Sequence, residues 1–119
     1  MIEKQSLEQE KAFLVGVIQP GMTEEIVHEH LDELELLADT AGAEIAGRIT
    51  QRISKVNPAT FIGKGKAEQL LNQAKELKVT LIIFDDELSP AQIKNYHKIS
   101  EKEKVLDRSG LILDIFQKH

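Results

Sequence analysis

The fold of this chain is decided by VTLIIF at residues 79–84, the most apolar stretch of strand length in the sequence. A short, continuous apolar run of this kind predicts a strand that is buried on both faces of a sheet. Residues 12–18, AFLVGVI, form a second such run, which closes on the turn signal Pro20-Gly21. Both strands therefore belong in the middle of a sheet with helices on both sides.

Two weaker strand signals flank these runs. Residues 43–51 alternate between apolar and polar side chains, which predicts an edge strand with one wetter face. The alternation places four residues on the apolar face: Ala43, Ile45, Gly47 and Ile49. Residues 104–106, KVL, predict a short last strand at the other edge.

Helical signals separate the strands. Thr23 is positioned to cap a first helix, a second follows Gly63-Lys64-Gly65, and Ser89 with Gln92 forms a capping box for a third. The sequence therefore predicts one α/β domain over residues 1–119, with a four-stranded parallel sheet in order 2-1-3-4, the flavodoxin-like half of the doubly wound family. A final helix ends on large apolar side chains, which indicates that it leads into a further segment.

Composition narrows the function classes. With 119 residues and 41% apolar content, the chain holds one core, and no apolar run approaches the roughly 18 residues of a membrane span. It has no cysteine, which excludes disulfides and thiolate zinc sites. We expect a cytoplasmic protein.

The net charge of -5 is unevenly distributed. Residues 46–67 carry no Asp or Glu, and their basic residues are Arg48, Arg52, Lys55, Lys64 and Lys66. A basic segment on an acidic chain is either a local footprint for a polyanion or a solvated loop. Residues 52–60 lack periodicity and contain Asn57-Pro58, so we expect an exposed loop there.

The sequence FIGKGK at residues 61–66 resembles a phosphate-binding loop, because two glycines free backbone N–H groups just before a helix. It is not a Walker A motif, since Ala67 stands where Ser or Thr would bind magnesium. The alternative interpretation is a tight helix start. Asn-Lys-x-Asp, which would recognise guanine, is also absent, so we predict no catalytic residue and no GTP hydrolysis by this chain.

Acidic residues follow the third strand. Asp85 and Asp86 define a predicted polar site at the strand ends, either a place for Mg²⁺ or a solvated cap ahead of the Ser89 helix. Neither they nor any other residues are predicted to form a dedicated metal site. Asp107 to Gly110 matches the Asp-x-x-Gly of GTPases, but without a Walker A loop it is predicted to cap the last helix. All of these segments are expected at the carboxyl edge of the sheet, where ligands bind in this fold.

Five sequence blocks together resemble the N-terminal region of HflX-type (Obg-related) GTPases. They occur in the same order and at the same spacing and lie at residues 40–44, 47–52, 58–66, 83–92 and 107–116. The resemblance covers roughly residues 10–119. Ser109 stands where this family commonly has Thr.

The resemblance implies a function for a longer protein. It implies a helical hairpin and a GTPase domain after Phe116, with GTP and magnesium bound in that absent domain and no cofactor here. It further implies that the partner is the large ribosomal subunit and its rRNA, in ribosome splitting or rescue, and it associates ATP with this region. The family pattern singles out eight residues: Arg48, Arg52, Gly63, Lys64, Gly65, Lys66, Asp85 and Asp86.

Overall fold

Four parallel strands alternate with four helices in a computed structural model that describes residues 7–117. The strands are β1 (Lys11–Ile18), β2 (Glu44–Arg52), β3 (Leu81–Phe84) and β4 (Lys104–Leu106). The helices are α1 (Glu24–Thr40), α2 (Lys64–Glu76), α3 (Pro90–Ile99) and α4 (Arg108–Gln117). The sheet order is β2-β1-β3-β4, so the predicted fold and strand order are confirmed. Within residues 7–117 no helix is long and apolar enough to cross a membrane.

The sheet separates two layers, each with its own apolar cluster. Alternate side chains of β1 point to opposite faces, so Leu14 packs with α1 and α4, whereas Val15 packs with α2 and α3. Every residue of β3 is buried, because helices cover both of its faces. The prediction that β1 and β3 are the central strands is confirmed.

A bulge in β2 makes one sequence prediction wrong. The pairing of β2 with β1 shifts after Ile45, so that Ala46 is an extra residue. An extra residue reverses the faces of all positions that follow it. Ile45 therefore packs on the α1 side and Ile49 on the α2 side, instead of sharing one apolar face.

The predicted helix caps are present. The Thr23 hydroxyl accepts a hydrogen bond from the Ile26 N–H at 3.1 Å, and Ser89 and Gln92 form a reciprocal capping box. Asp107 Oδ1 accepts from the Gly110 N–H at 2.8 Å at the start of α4. The Asp107–Gly110 segment is thus a helix cap, as its sequence predicted.

One glycine sets the distance between α1 and the sheet. A Cβ atom on Gly16 of β1 would lie 2.6 Å from Val27 Cγ1 and 2.9 Å from Leu31 Cδ1. Both side chains are buried on α1. Helix α1 therefore packs against β1 more closely than any side chain at position 16 would permit.

Candidate polyanion-binding surface

The connection between β2 and α2, residues 53–63, is anchored to the domain. Ile53 and Thr60 are buried, so the prediction of an exposed loop is wrong at both positions. The Tyr96 hydroxyl of α3 donates a hydrogen bond to the Thr60 carbonyl oxygen at 2.7 Å. Gln92 Nε2 of α3 donates to the Asn57 carbonyl oxygen at 2.8 Å. These buried side chains of α3, together with Asn95, which donates to the Ala59 carbonyl oxygen, hold the loop in place.

Asn57 builds the turn inside this loop. Its Oδ1 accepts hydrogen bonds from the backbone N–H groups of Ala59 at 2.8 Å and Thr60 at 3.0 Å. Asn side chains stabilise turns in this way. The sequence identifies Asn57 as a turn residue. It does not identify the anchoring side chain of Gln92, which lies 35 residues further along the chain.

The loop ends at Gly63, which precedes α2 with a φ of 98° and supplies no side-chain cap. Glycine adopts this backbone conformation without strain. A Cβ atom would meet nothing within 4 Å at Gly63 or at Gly65. Neither glycine is therefore needed to make room for neighbouring protein atoms, and the first N–H groups of α2 lie on an open, positively polarised helix end.

The five basic residues predicted as one segment divide into three groups. Arg52, Lys55 and Lys64 are exposed. Lys66 Nζ donates a hydrogen bond to the Arg52 carbonyl oxygen and so ties the end of β2 to the first turn of α2. Arg48, which pairs with Leu14 of β1, lies on the α1 side of the sheet.

Ion pairs hold Arg48 on the α1 side. Its guanidinium lies 2.9 Å from Asp32 Oδ1 and 3.0 Å from Glu35 Oε1. The hydrogen bond to Glu35 raises the pKa of Arg48 above its ordinary value, and Asp32 adds to the rise. The bulge in β2 is the reason, because it sets the face to which residue 48 points.

The two helical layers carry opposite charge. Helix α1 contains seven acidic residues and no Lys or Arg: Glu24, Glu25, Glu29, Asp32, Glu33, Glu35 and Asp39. Helix α2 has three Lys and two Glu, and α3 has two Lys and no acid. Helices α2 and α3 lie on the same side of the sheet. The lysines of these two helices, which are separate in sequence, therefore share one layer.

A groove of about 470 Å³ runs between α2 and α3 beside the anchored loop. Leu71 and Ile99 contribute apolar surface to it. Its polar and charged lining consists of Asn57, Thr60, Lys64, Glu68, Asn72, Lys75, Asn95 and Lys98. Sequence reasoning missed this groove, since Lys98 and Asn72 are unremarkable surface residues until the fold brings their helices together.

The carboxylates at the end of β3 make internal contacts. Asp85 Oδ1 accepts a hydrogen bond from Arg108 Nε at 2.9 Å, and Asp85 Oδ2 lies 3.8 Å from His30 Nδ1. Arg108 also donates to the His30 carbonyl oxygen at 3.0 Å. These contacts join β3, α1 and α4 at the carboxyl edge.

Asp86 lies next to this cluster. It accepts a hydrogen bond from Gln19 Nε2 at 3.4 Å. Burial raises the pKa of Asp86 above its ordinary value, and the neighbouring charge of Asp85 raises it further. Among residues 7–117 no group of His, Cys, Asp or Glu is arranged to hold a metal ion.

Comparison with known proteins identifies the family. A family described as "GTP-binding GTPase N-terminal" matches residues 28–117. The chain belongs to this family. The GTPase HflX of Flavobacterium psychrophilum is 46% identical over 116 residues, and that of Escherichia coli is 38% identical over 107 residues. This agreement identifies the chain as an HflX N-terminal domain.

The match covers only part of each relative. It includes 98% of this chain but 28% of the Flavobacterium protein, and 90% of this chain but 24% of the Escherichia coli protein. The chain thus spans about a quarter of the length of the curated relatives that it matches.

Solved structures show the same fold. A GTP-binding protein from Sulfolobus solfataricus in complex with GDP superposes with a TM-score of 0.68 at 22% sequence identity, over 93% of this chain and 31% of that one. The variant G235S of a protein called SsGBP gives a TM-score of 0.70 at 21% identity, over 90% of this chain and 32% of that one.

Proposed function

We propose that this domain binds the large ribosomal subunit through its rRNA, within a ribosome-splitting or rescue GTPase of the HflX type. The observation that carries the proposal is the anchored, acid-free loop before α2. Together with the residues on either side of it, it presents Arg52, Lys55 and Lys64 to solvent. Lys and Arg on such a surface displace counterions from phosphates. A partner of this kind also requires a cytoplasmic location.

The anchoring of the loop supports this proposal. A loop that is already ordered loses less conformational entropy on binding than a free one. The hydrogen bonds from Gln92 and Tyr96 supply that order. The acidic α1 layer faces the opposite way and so disfavours an rRNA contact on that side, which restricts the orientation of the domain on the subunit.

Catalysis is proposed for the longer protein. The relatives are named GTPases and are about four times as long as the matched region. GTP and Mg²⁺ would bind in their additional domain, and the helical hairpin would join it to α4. We expect the present chain neither to hydrolyse GTP nor to bind it tightly, and a stopped-flow phosphate-release assay tests this expectation.

The central test is the double substitution Lys64→Ala/Lys66→Ala. We expect weaker binding to large subunits and a log–log salt slope that is lower by about one for each rRNA phosphate that the variant no longer neutralises. Sedimentation of the chain with purified subunits at several salt concentrations measures both quantities. Lys11→Ala is the control. It removes an exposed lysine at the start of β1, at the edge of the sheet opposite to the loop.

The fold of the double variant needs a check, because Lys66 donates to the Arg52 carbonyl oxygen. Circular dichroism and the melting temperature provide it. A folded double variant that binds subunits as tightly as the parent, with the same salt slope, contradicts the proposal.

The second candidate function is binding of a small nucleotide such as ATP at the Gly63–Lys66 loop. The open surroundings of Gly63 and Gly65 favour it, since phosphate oxygens can approach the backbone N–H groups there. Isothermal titration with ATP distinguishes the two candidates. The affinity of a closed phosphate site for ATP falls little as salt rises, whereas an affinity that depends on several rRNA phosphates falls steeply.

A further inference from the structure

The groove between α2 and α3 adjoins the loop, but most of its lining comes from the two helices. Its apolar surface comes from Leu71, which is 4% exposed, and Ile99, which is 43% exposed. A volume of about 470 Å³ is in the range of roughly 300–1,000 Å³ that is usual for small-ligand sites. Such a space accepts one flat, partly apolar group.

Two ammonium groups at this groove are unpaired. Lys64 and Lys98 have no ion-pair partner among residues 7–117, whereas Lys75 pairs with Glu101 at 2.9 Å. Glu68 is the one carboxylate in the lining. The free charge of the groove is therefore positive, and α3 contributes to it from outside the sequence segment that first suggested a polyanion site.

Two amide side chains add directional hydrogen bonding. Asn95 Nδ2 donates to the Ala59 carbonyl oxygen at 2.9 Å, which fixes the amide and leaves its Oδ1 as an acceptor. The amide of Asn72 makes no hydrogen bond within the described chain. An Asn amide offers both donors and an acceptor, which suits the edge of a nucleobase.

We propose that this groove holds one unstacked nucleotide of a single-stranded rRNA segment. The base lies against Leu71 and Ile99, its edge contacts the amides of Asn72 and Asn95, and the adjoining phosphates contact Lys64 and Lys98. A paired base within a duplex does not reach such a groove, because single-stranded loops and bulges are where RNA bases are free to be recognised. The inference rests on the proposed rRNA contact and extends it onto α3.

The experiment uses the 119-residue chain and three probes: a mixed-sequence single-stranded RNA oligonucleotide, the same sequence as a duplex, and ATP. The side-chain amide resonances of Asn72 and Asn95 in ¹⁵N-resolved spectra report occupancy of the groove. We expect both to shift with the single strand and to stay in place with the duplex and with ATP.

Substitutions then test the energetics by fluorescence anisotropy. Lys98→Ala should weaken binding of the single strand severalfold and lower its salt slope by about 0.7, the value for one phosphate of a single strand. Asn72→Ala should weaken binding without changing the slope, and Gln73→Ala, the next residue on α2, is its control. Glu68→Gln should strengthen binding, because it removes the groove's carboxylate, whereas Glu25→Gln on α1 should not.

The outcomes separate this inference from the proposed function. If Lys64→Ala/Lys66→Ala weakens subunit binding but Lys98→Ala and Asn72→Ala change nothing, the groove is not a nucleotide site and the function stands. If the single strand binds in the groove but large subunits do not bind, the function fails and the groove stands. If only ATP shifts the two amide resonances, the occupant is a free nucleotide and the inference is overturned.

Discussion

The two helical layers of this domain share one sheet but differ in how they use their polar groups. On the α1–α4 side, Arg48 is held by Asp32 and Glu35, and Arg108 is held by Asp85. On the α2–α3 side, Lys64 and Lys98 have no ion-pair partner within the described chain, and a groove separates the helices. The first layer pairs these two arginines internally, whereas the second pairs Lys75 with Glu101 but leaves Lys64 and Lys98 available.

This difference separates a structural layer from the layer for which we propose binding. Gly16 allows α1 to pack closely on β1, and the ion pairs of that layer link strands to helices. In the other layer, buried Tyr96 and Gln92 fix a loop whose outer surface is open. Polar groups inside the core of the α2–α3 layer therefore hold its surface loop in shape.

The largest expected effect comes from shortening core side chains in each layer. Leu34→Ala on α1 should lower the free energy of unfolding by about 3–5 kcal/mol, because Leu34 is completely buried and its cavity cannot reach solvent. Leu71→Ala on α2 should cost less, about 2 kcal/mol, because Leu71 borders the open groove. Urea denaturation measures both. Equal losses would contradict the distinction between a sealed and an open layer.

Tyr96→Phe tests the anchoring of the loop. It leaves the ring packed against Phe84 but removes the hydrogen bond to the Thr60 carbonyl oxygen. The Thr60 carbonyl oxygen keeps its hydrogen bond from the Ile62 N–H at 2.8 Å. The loss should therefore be that of one hydrogen bond, about 0.5–1.5 kcal/mol. Amide hydrogen exchange in residues 53–63 should increase more than exchange in α1. A uniform increase would mean that Tyr96 stabilises the whole domain and not the loop in particular.

The same residue predicts a response to alkaline pH. Burial raises the pKa of Tyr96 above its ordinary value of about 10, so above that pH the unfolded chain loses the proton that the folded chain keeps. The free energy of unfolding should therefore fall as pH rises beyond about 10, by at most about 1.4 kcal/mol per pH unit from this group. Tyr96 is the only tyrosine, so absorbance near the tyrosinate band reads it alone, and Tyr96→Phe should show a flatter decline.

The smallest effect on stability, with opposite sign, is expected for Gly65→Ala in the first turn of α2. A Cβ atom meets nothing within 4 Å there, and Ala is a better helix former by up to about 1 kcal/mol. The variant should melt at a higher temperature. If phosphates approach this backbone, it should also bind large subunits or ATP more weakly, and unchanged binding would place the contact on the lysine side chains alone.

The sheet could be predicted from the sequence. Residues 12–18 and 81–84 are apolar without interruption, and only a position covered on both faces tolerates this pattern, so the order 2-1-3-4 follows. The caps at Thr23 and Ser89 could also be predicted, because each depends only on residues within one helical turn. The five blocks that resemble HflX-type proteins led to the family that the similar proteins identify.

Which side chains meet could not be predicted from the sequence and became visible only in the folded domain. Charge counting grouped Arg48 with the loop lysines, but a one-residue bulge at Ala46 turns Arg48 toward α1. The loop and groove are completed by α3 residues that lie far along the chain: Gln92, Tyr96 and Lys98. Nothing in the sequence around these residues indicates that they make these contacts. Contacts within one helical turn can be read from neighbouring residues, whereas contacts between layers depend on the register and facing of whole elements, which one inserted residue reverses.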